Sequence, residues 1–229
     1  MPKVDASTRK RVTADWAGAF EGFDVWKPLR LARRIGPVVQ GITLDVNTVG
    51  DAYFPTAHIH CLSRDFPVVS LGLAQRLQTS SGVQESIRFS RHEADFPGAV
   101  RVLAEQSTLS LFQPPTIEQI VNACHSFAFN WQNMGFPPAV DVVEDSVLIA
   151  ATVERGDLVE AGLKLARELA GVWQKARLPL DWVSAEVWLE GLTARVSDHD
   201  SLSRVVSGQV LKHKLQKVRE LPIDSGAAQ

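Results

Sequence analysis

The spacing of the apolar residues changes twice along this chain, and that change restricts the available folds more than any single motif does. From Ser7 to Arg34, Val12, Trp16, Phe20 and Phe23 fall near helical spacing before Pro28 interrupts. From Pro37 the spacing drops to two. The stretch Pro37 to Val46 (PVVQGITLDV) alternates, NTVG supplies turn residues, and YFPTAHIHCLS alternates again. After Pro67, VVSLGLAQRL and VQESIRFSRH follow. The connections between these runs are too short for crossover helices, so an antiparallel meander is expected.

Beyond Pro97 the helical period returns. Thr116 with Gln119 three residues on forms a capping box ahead of Ile117, Ile120, Val121, Cys124, Phe127 and Trp131. Leu158, Leu165, Leu169 and Trp173 repeat the pattern up to Lys175, and Trp182, Leu189, Leu192 and Val196 continue it. Leu211, Leu215 and Val218 close the chain before Pro222, and Asp224 to Gln229 read as a frayed tail. Strands grouped early and helices grouped late specify an α+β chain: an N-terminal helix, a four-stranded antiparallel meander, then a mostly helical C-terminal half. The expected division is 1–113 for helix plus sheet and 114–229 for a helical region packed on or beside it.

Alternation assigns faces. In the second strand Ala57, Ile59 and Cys61 form an apolar side, and Thr56, His58 and His60 a polar one. The other strands place Asp45, Arg88 and His92 with the histidines, giving a binding surface of Asp45, His58, His60, Arg88 and His92. Two residues along a strand separate Cα atoms by about 6.6 Å, close enough for both imidazoles to reach one divalent transition metal. A catalytic zinc needs a third ligand, for which Asp45, Asp65 and His92 are the candidates. That combination is the basis for a metal-dependent hydrolase reading.

HIHCL resembles the opening of the histidine-triad nucleotide hydrolases, whose motif alternates three histidines with apolar residues; Leu62 stands where the third would be. No GxxxxGK[ST], GxGxxG or GxSxG occurs, and no lysine lies two residues after a carboxylate. Cys61 and Cys124 are not in a CxxC spacing and read as core thiols of a reducing compartment.

The chain carries 24 basic against 26 acidic residues, so no overall field draws it to nucleic acid. Basic residues do gather near both ends, among them Arg9, Lys10, Lys27, Arg30, Arg33 and Arg34 early and Lys212, Lys214 and Lys217 late. Read as basic terminal helices, Arg30, Arg33, Arg34, Lys212, Lys214 and Lys217 would suit phosphates. Asp198 and Asp200 around His199 suit the start of a last helix. No apolar run approaches a membrane span, and no apolar core of a signal peptide precedes Trp16. Together these features predict a non-catalytic cytoplasmic protein of bacterial type, without a cofactor, that engages another macromolecule, a protein in the first place and nucleic acid in the second.

Overall fold

Asp5 begins the first helix, its carboxylate accepting the Thr8 backbone N–H at 2.7 Å. The computed structural model describes residues 4–174, 177–178, 180 and 182–223. Helix α1 (Ala6–Ala19) ends ten residues before Leu29, and the chain then forms strands β1 (Asp24–Lys27), β2 (Arg30–Ile35), β3 (Val38–Val46), β4 (Ala52–Cys61), β5 (Gly72–Arg76) and β6 (Ile87–Arg88). Helices α2 (His92–Gln106), α3 (Ile117–Asn133), α4 (Val140–Thr152), α5 (Gly156–Ala170), α6 (Ala185–Ser197) and α7 (His199–Lys212) follow, and β7 (Glu220–Leu221) is the last strand. The α+β arrangement expected from the spacing is therefore present.

Two boundaries differ from expectation. The helical reading of residues 7 to 34 merges α1 with a β1–β2 hairpin, and the fourth run contributes only Ile87–Arg88 before His92 starts α2. The hairpin escapes the periodic signal because β2 buries Arg33 on the same face as Leu31 and Ile35, so polarity does not alternate there. Lys175 and the tail from Asp224 lie outside the described residues.

The chain divides into two compact units, each described by itself. One comprises residues 4–60, 70–115 and 214–222; the other 61–69, 116–213 and residue 223. In the first, the strands run in the order β1-β2-β3-β4-β5, with β6 pairing β4 and β7 lying parallel to β2. Val12 and Trp16 of α1 and Phe20 just beyond its end, with Ala99 and Leu103 of α2, bury against Leu31, Ile42, Leu44, Tyr53 and Ala57. Asn47 closes the β3–β4 turn, its side-chain oxygen accepting the N–H groups of Gly50 and Asp51 at 2.8 and 3.1 Å.

The turn between β1 and β2 places Leu29 at φ 61, a left-handed conformation that costs a branched side chain. Leu29 is nonetheless held. Its side chain is buried, and its N–H donates to Thr13 Oγ1 at 2.9 Å while the Thr13 hydroxyl donates to the Arg9 carbonyl at 2.6 Å. The pairing of β1 with β2 shifts register between Val25 and Lys27, at Trp26. Bulges of this kind re-aim a side chain.

In the helical unit α3 carries the capping box: the Gln119 N–H donates to Thr116 Oγ1 at 3.1 Å and the Thr116 N–H to Gln119 Oε1 at 2.9 Å. Asp198 caps α7 by accepting the Ser201 N–H at 2.9 Å. Helix α4 is at the centre, packed on α3, α5, α6 and α7. Gly162 of α5 permits the close approach, since a Cβ there would lie 2.8 Å from Val147 Cγ2. Among the described residues, no helix is long and apolar enough to cross a membrane.

Candidate functional site

His58 and His60 do share a face of β4, but both are buried, and their surroundings differ. His58 lies over Gly41 of β3, where a Cβ would come within 2.5 Å of its Nε2. Burial, with Arg30 adding its charge, lowers the His58 pKa to about 4, and its Nδ1 has no hydrogen-bond partner among the described residues. His60 Nδ1 accepts the Ser70 N–H at 3.1 Å and lies 2.9 Å from Ser70 Oγ. Among the described residues no three His, Cys, Asp or Glu side chains gather around a point where one ion would fit.

The remaining surface candidates separate. Asp45 sits between Arg30 and Arg76, at 3.7 and 3.9 Å, and Arg76 lies over the Phe54 ring at 5.3 Å. Arg88 is exposed opposite Ala52, six residues along β4 from His58. His92 is not on a strand. It opens α2 and turns to Tyr53, which belongs to the apolar side of β4, so the sequence pattern placed it on the wrong face. Asp65, the other candidate ligand, belongs to the helical unit and is engaged by Lys212 and Gln209, each at 2.7 Å.

His92 takes part instead in a polar chain that sequence spacing does not reveal. Trp16 Nε1–H donates to Tyr53 Oη at 3.1 Å, Tyr53 Oη contacts His92 Nδ1 at 2.8 Å, and His92 Nε2 reaches Asp15 Oδ2 at 2.9 Å. The order acid, imidazole, hydroxyl invites a catalytic reading. Tyr53, however, is 0% exposed and its oxygen is engaged on both sides, while burial raises its pKa above the ordinary phenol value. A general base must reach a substrate proton at about 3 Å, and no substrate atom has access here. The chain of bonds holds α1, α2 and β4 together.

The basic residues also resolve differently. Arg30, Arg33 and Arg34 stand on β2, on alternating faces, not on a helix. Arg33 is 0% exposed: its Nε and Nη2 donate to Gln40 Oε1, Nη2 also donates to the carbonyls of Ser110 and Gln113, and the guanidinium lies 4.4 Å from the Phe23 ring centre. Burial lowers its pKa to about 10. Arg34 pairs with Glu220 of β7. At the other end, Lys212 ends α7 and pairs with Asp65 at 2.7 Å, Lys214 occupies a left-handed position at φ 57, and Lys217 lies in a 3₁₀ turn.

A cleft of ≈ 760 Å³ opens where α1 meets the β1–β2 hairpin. Helix α1 contributes Ala6, Arg9, Lys10, Thr13 and Ala14, positions that recur on one helical stripe; the hairpin contributes Val25, Trp26, Lys27 and Pro28. The floor is apolar, Val25 is 54% exposed, and none of these residues is acidic. Lys27 Nζ sits 4.0 Å from the Trp26 ring centre. Among the described residues Arg9, Lys10 and Lys27 have no carboxylate partner, and Arg9 Nε is buried without a hydrogen bond. The sequence noted these three cations as an N-terminal charge bias but gave no cleft, because its two walls were read as one helix.

Clefts in the helical unit have a different charge balance. Those of ≈ 330 and ≈ 430 Å³ are lined by Arg64, Asp65, Arg195, Ser201, Arg204 and Lys212, among others. Most of their cations are already neutralised: Arg64 by Asp141, Glu144 and Asp145, Arg195 by Glu144 at 2.9 Å, and Lys212 by Asp65. Beside Arg64, burial raises the Asp145 carboxyl to about 6 and raises the Cys61 thiol well above its ordinary range. Burial raises the Cys124 thiol likewise. Neither cysteine has the thiolate character of a nucleophile.

No family model, curated protein or solved structure matches the chain.

Proposed function

We propose that this chain is a binding protein that performs no covalent chemistry and engages another protein in the cleft between α1 and the β1–β2 hairpin. The observation that carries the reading is the combination, in one concave surface, of exposed apolar residues and three cations lacking carboxylate partners among the described residues. Concave apolar surfaces with a few polar groups are the usual places for recognition. The imidazoles and thiols that a hydrolase would use are instead buried in the packing. Two buried, unbridged cysteines fit a reducing compartment such as the bacterial cytoplasm, where an accessory, immunity or defence-associated role is open to such a protein.

The test is site-directed photo-crosslinking. A benzophenone amino acid replaces exposed Val25 in the cleft or, as control, exposed Leu211 on α7. The expected result is a discrete protein adduct from position 25 that is absent from position 211 and is lost in the double variant K10E/K27E. Identical adducts from both positions, or adducts indifferent to the charge reversal, would remove the cleft from consideration.

A further inference from the structure

Resting on the cleft assignment above, we infer that the occupant is an acidic protein segment that inserts an aliphatic or aromatic anchor between α1 and β1 and sets carboxylates against Arg9, Lys10 and Lys27. The inference comes from charge complementarity. The three cations belong to opposite walls, Arg9 and Lys10 to the helix and Lys27 to the hairpin, and none faces a carboxylate among the described residues. Arg9 is part-exposed, and its Nε is buried with no hydrogen-bond acceptor among the described residues. Carboxylates on an incoming segment complement cations that stand on both walls of the cleft.

Other occupants fit less well. A single-stranded nucleic acid stacks its bases on successive aromatics; the aromatic lining this cleft is Trp26, and Lys27 Nζ stands over its ring. A membrane surface calls for apolar residues on a face that lies in the headgroup plane, whereas Val25 and Pro28 line a concavity. A small anionic amphiphile offers one headgroup, whereas a segment with several carboxylates distributes its charge along both walls. Nor does a strand added to the edge of β1 fit, because the shifted register at Trp26 interrupts the regular ladder that such pairing copies. A segment carrying several carboxylates around an apolar anchor answers all of these features.

The experiment selects random dodecapeptides, displayed on phage, against the immobilised full chain. The winners are measured by calorimetry beside oligodeoxythymidylate and vesicles of phosphatidylglycerol. Expected are winners rich in Asp and Glu flanking Leu, Phe or Trp, with affinity lowered at least about tenfold by K10E/K27E and lowered again from about 50 to about 500 mM salt. Exchanging Glu for Lys in the winning peptide restores binding to that variant, and circular dichroism checks that the variant is folded. Winners that need the cleft but are neutral or basic overturn the acidic segment and leave the cleft as a docking site. Tighter capture of oligodeoxythymidylate or vesicles, abolished by K10E/K27E, also overturns it. Winners unaffected by cleft variants, or no winners, overturn both readings.

Discussion

The imidazole of His58 rests on the bare α-carbon of Gly41, so close that a methyl group there would fall 2.5 Å from Nε2 and 2.6 Å from Cε1. Both residues are buried. Gly41→Ala is therefore expected to destabilise the protein by about 1 to 3 kcal/mol, the usual cost of overpacking. The variant His58→Ala also destabilises, but the double variant is less unstable than the sum of the two. Chemical denaturation of all four proteins measures the coupling; additivity within about 0.3 kcal/mol would contradict the contact.

His58 also predicts an acid sensitivity. Its folded pKa, about 4, lies below the ordinary 6.5, so the unfolded chain takes up a proton that the folded chain refuses. The associated stability is fully present above about pH 6.5 and is lost as the pH falls toward 4. The shift corresponds to about 3 kcal/mol at most. Nuclear magnetic resonance should show its ring protons unchanged down to about pH 5. A midpoint near 6.5 would show that burial does not act on the ring as described.

Asp145 acts in the opposite direction. Its carboxyl titrates near 6 in the fold against an ordinary 3.8, so ionising it is unfavourable in the folded state. Stability from the protonated form is fully present below about pH 3.8 and is lost as the pH rises through about 6. Asp145→Asn should raise stability at pH 8 by up to about 3 kcal/mol. The gain should be absent near pH 4, and thermal melts at the two pH values would show the difference. Equal effects at both would mean that proton linkage does not govern this carboxyl.

Tyr53→Phe removes one oxygen and leaves two buried groups, the Trp16 indole N–H and His92 Nδ1, without their partner. At about 1 to 3 kcal/mol for each unsatisfied group, the expected loss is about 2 to 6 kcal/mol. Asp15→Asn should cost less, because Asp15 sits at the exposed end of the same chain of bonds. Urea denaturation ranks the two variants; the reverse order would refute the buried tether.

Much of the architecture was legible because local spacing and global packing agree. The β3 and β4 runs alternate cleanly, Asn47 and Gly50 mark their turn, and Thr116 with Gln119 announces α3. The reading failed where burial overrides polarity. Arg33 hides β2 by lying in the core, and α4 gave no periodic signal because Val147, Leu148, Ile149, Ala150 and Ala151 are all buried around its circumference. The shared face of His58 and His60 followed from a period of two, but which groups surround them did not. The Asp15 to Trp16 polar chain joins residues 77 and 37 positions apart, separations that no window along the sequence samples. The cleft was missed for a simpler reason: its second wall depends on a hairpin turn around Leu29, a residue type that does not announce a left-handed conformation.

The parallel pairing of β7 with β2 has a consequence for how the protein is made. Ribosomes deliver the chain from its N-terminus, yet Arg34 finds Glu220 only 186 residues later, and the Asp24 carboxylate accepts its bond from the Arg219 backbone in the same late segment. Until residues 219–221 emerge, the Arg34–Ile35 end of β2, beyond its pairing with β1, keeps its hydrogen-bonding groups open. The last strand is thus a latch on a sheet whose other strands were synthesised long before, and a nascent chain stalled within α7 exposes an unlatched edge.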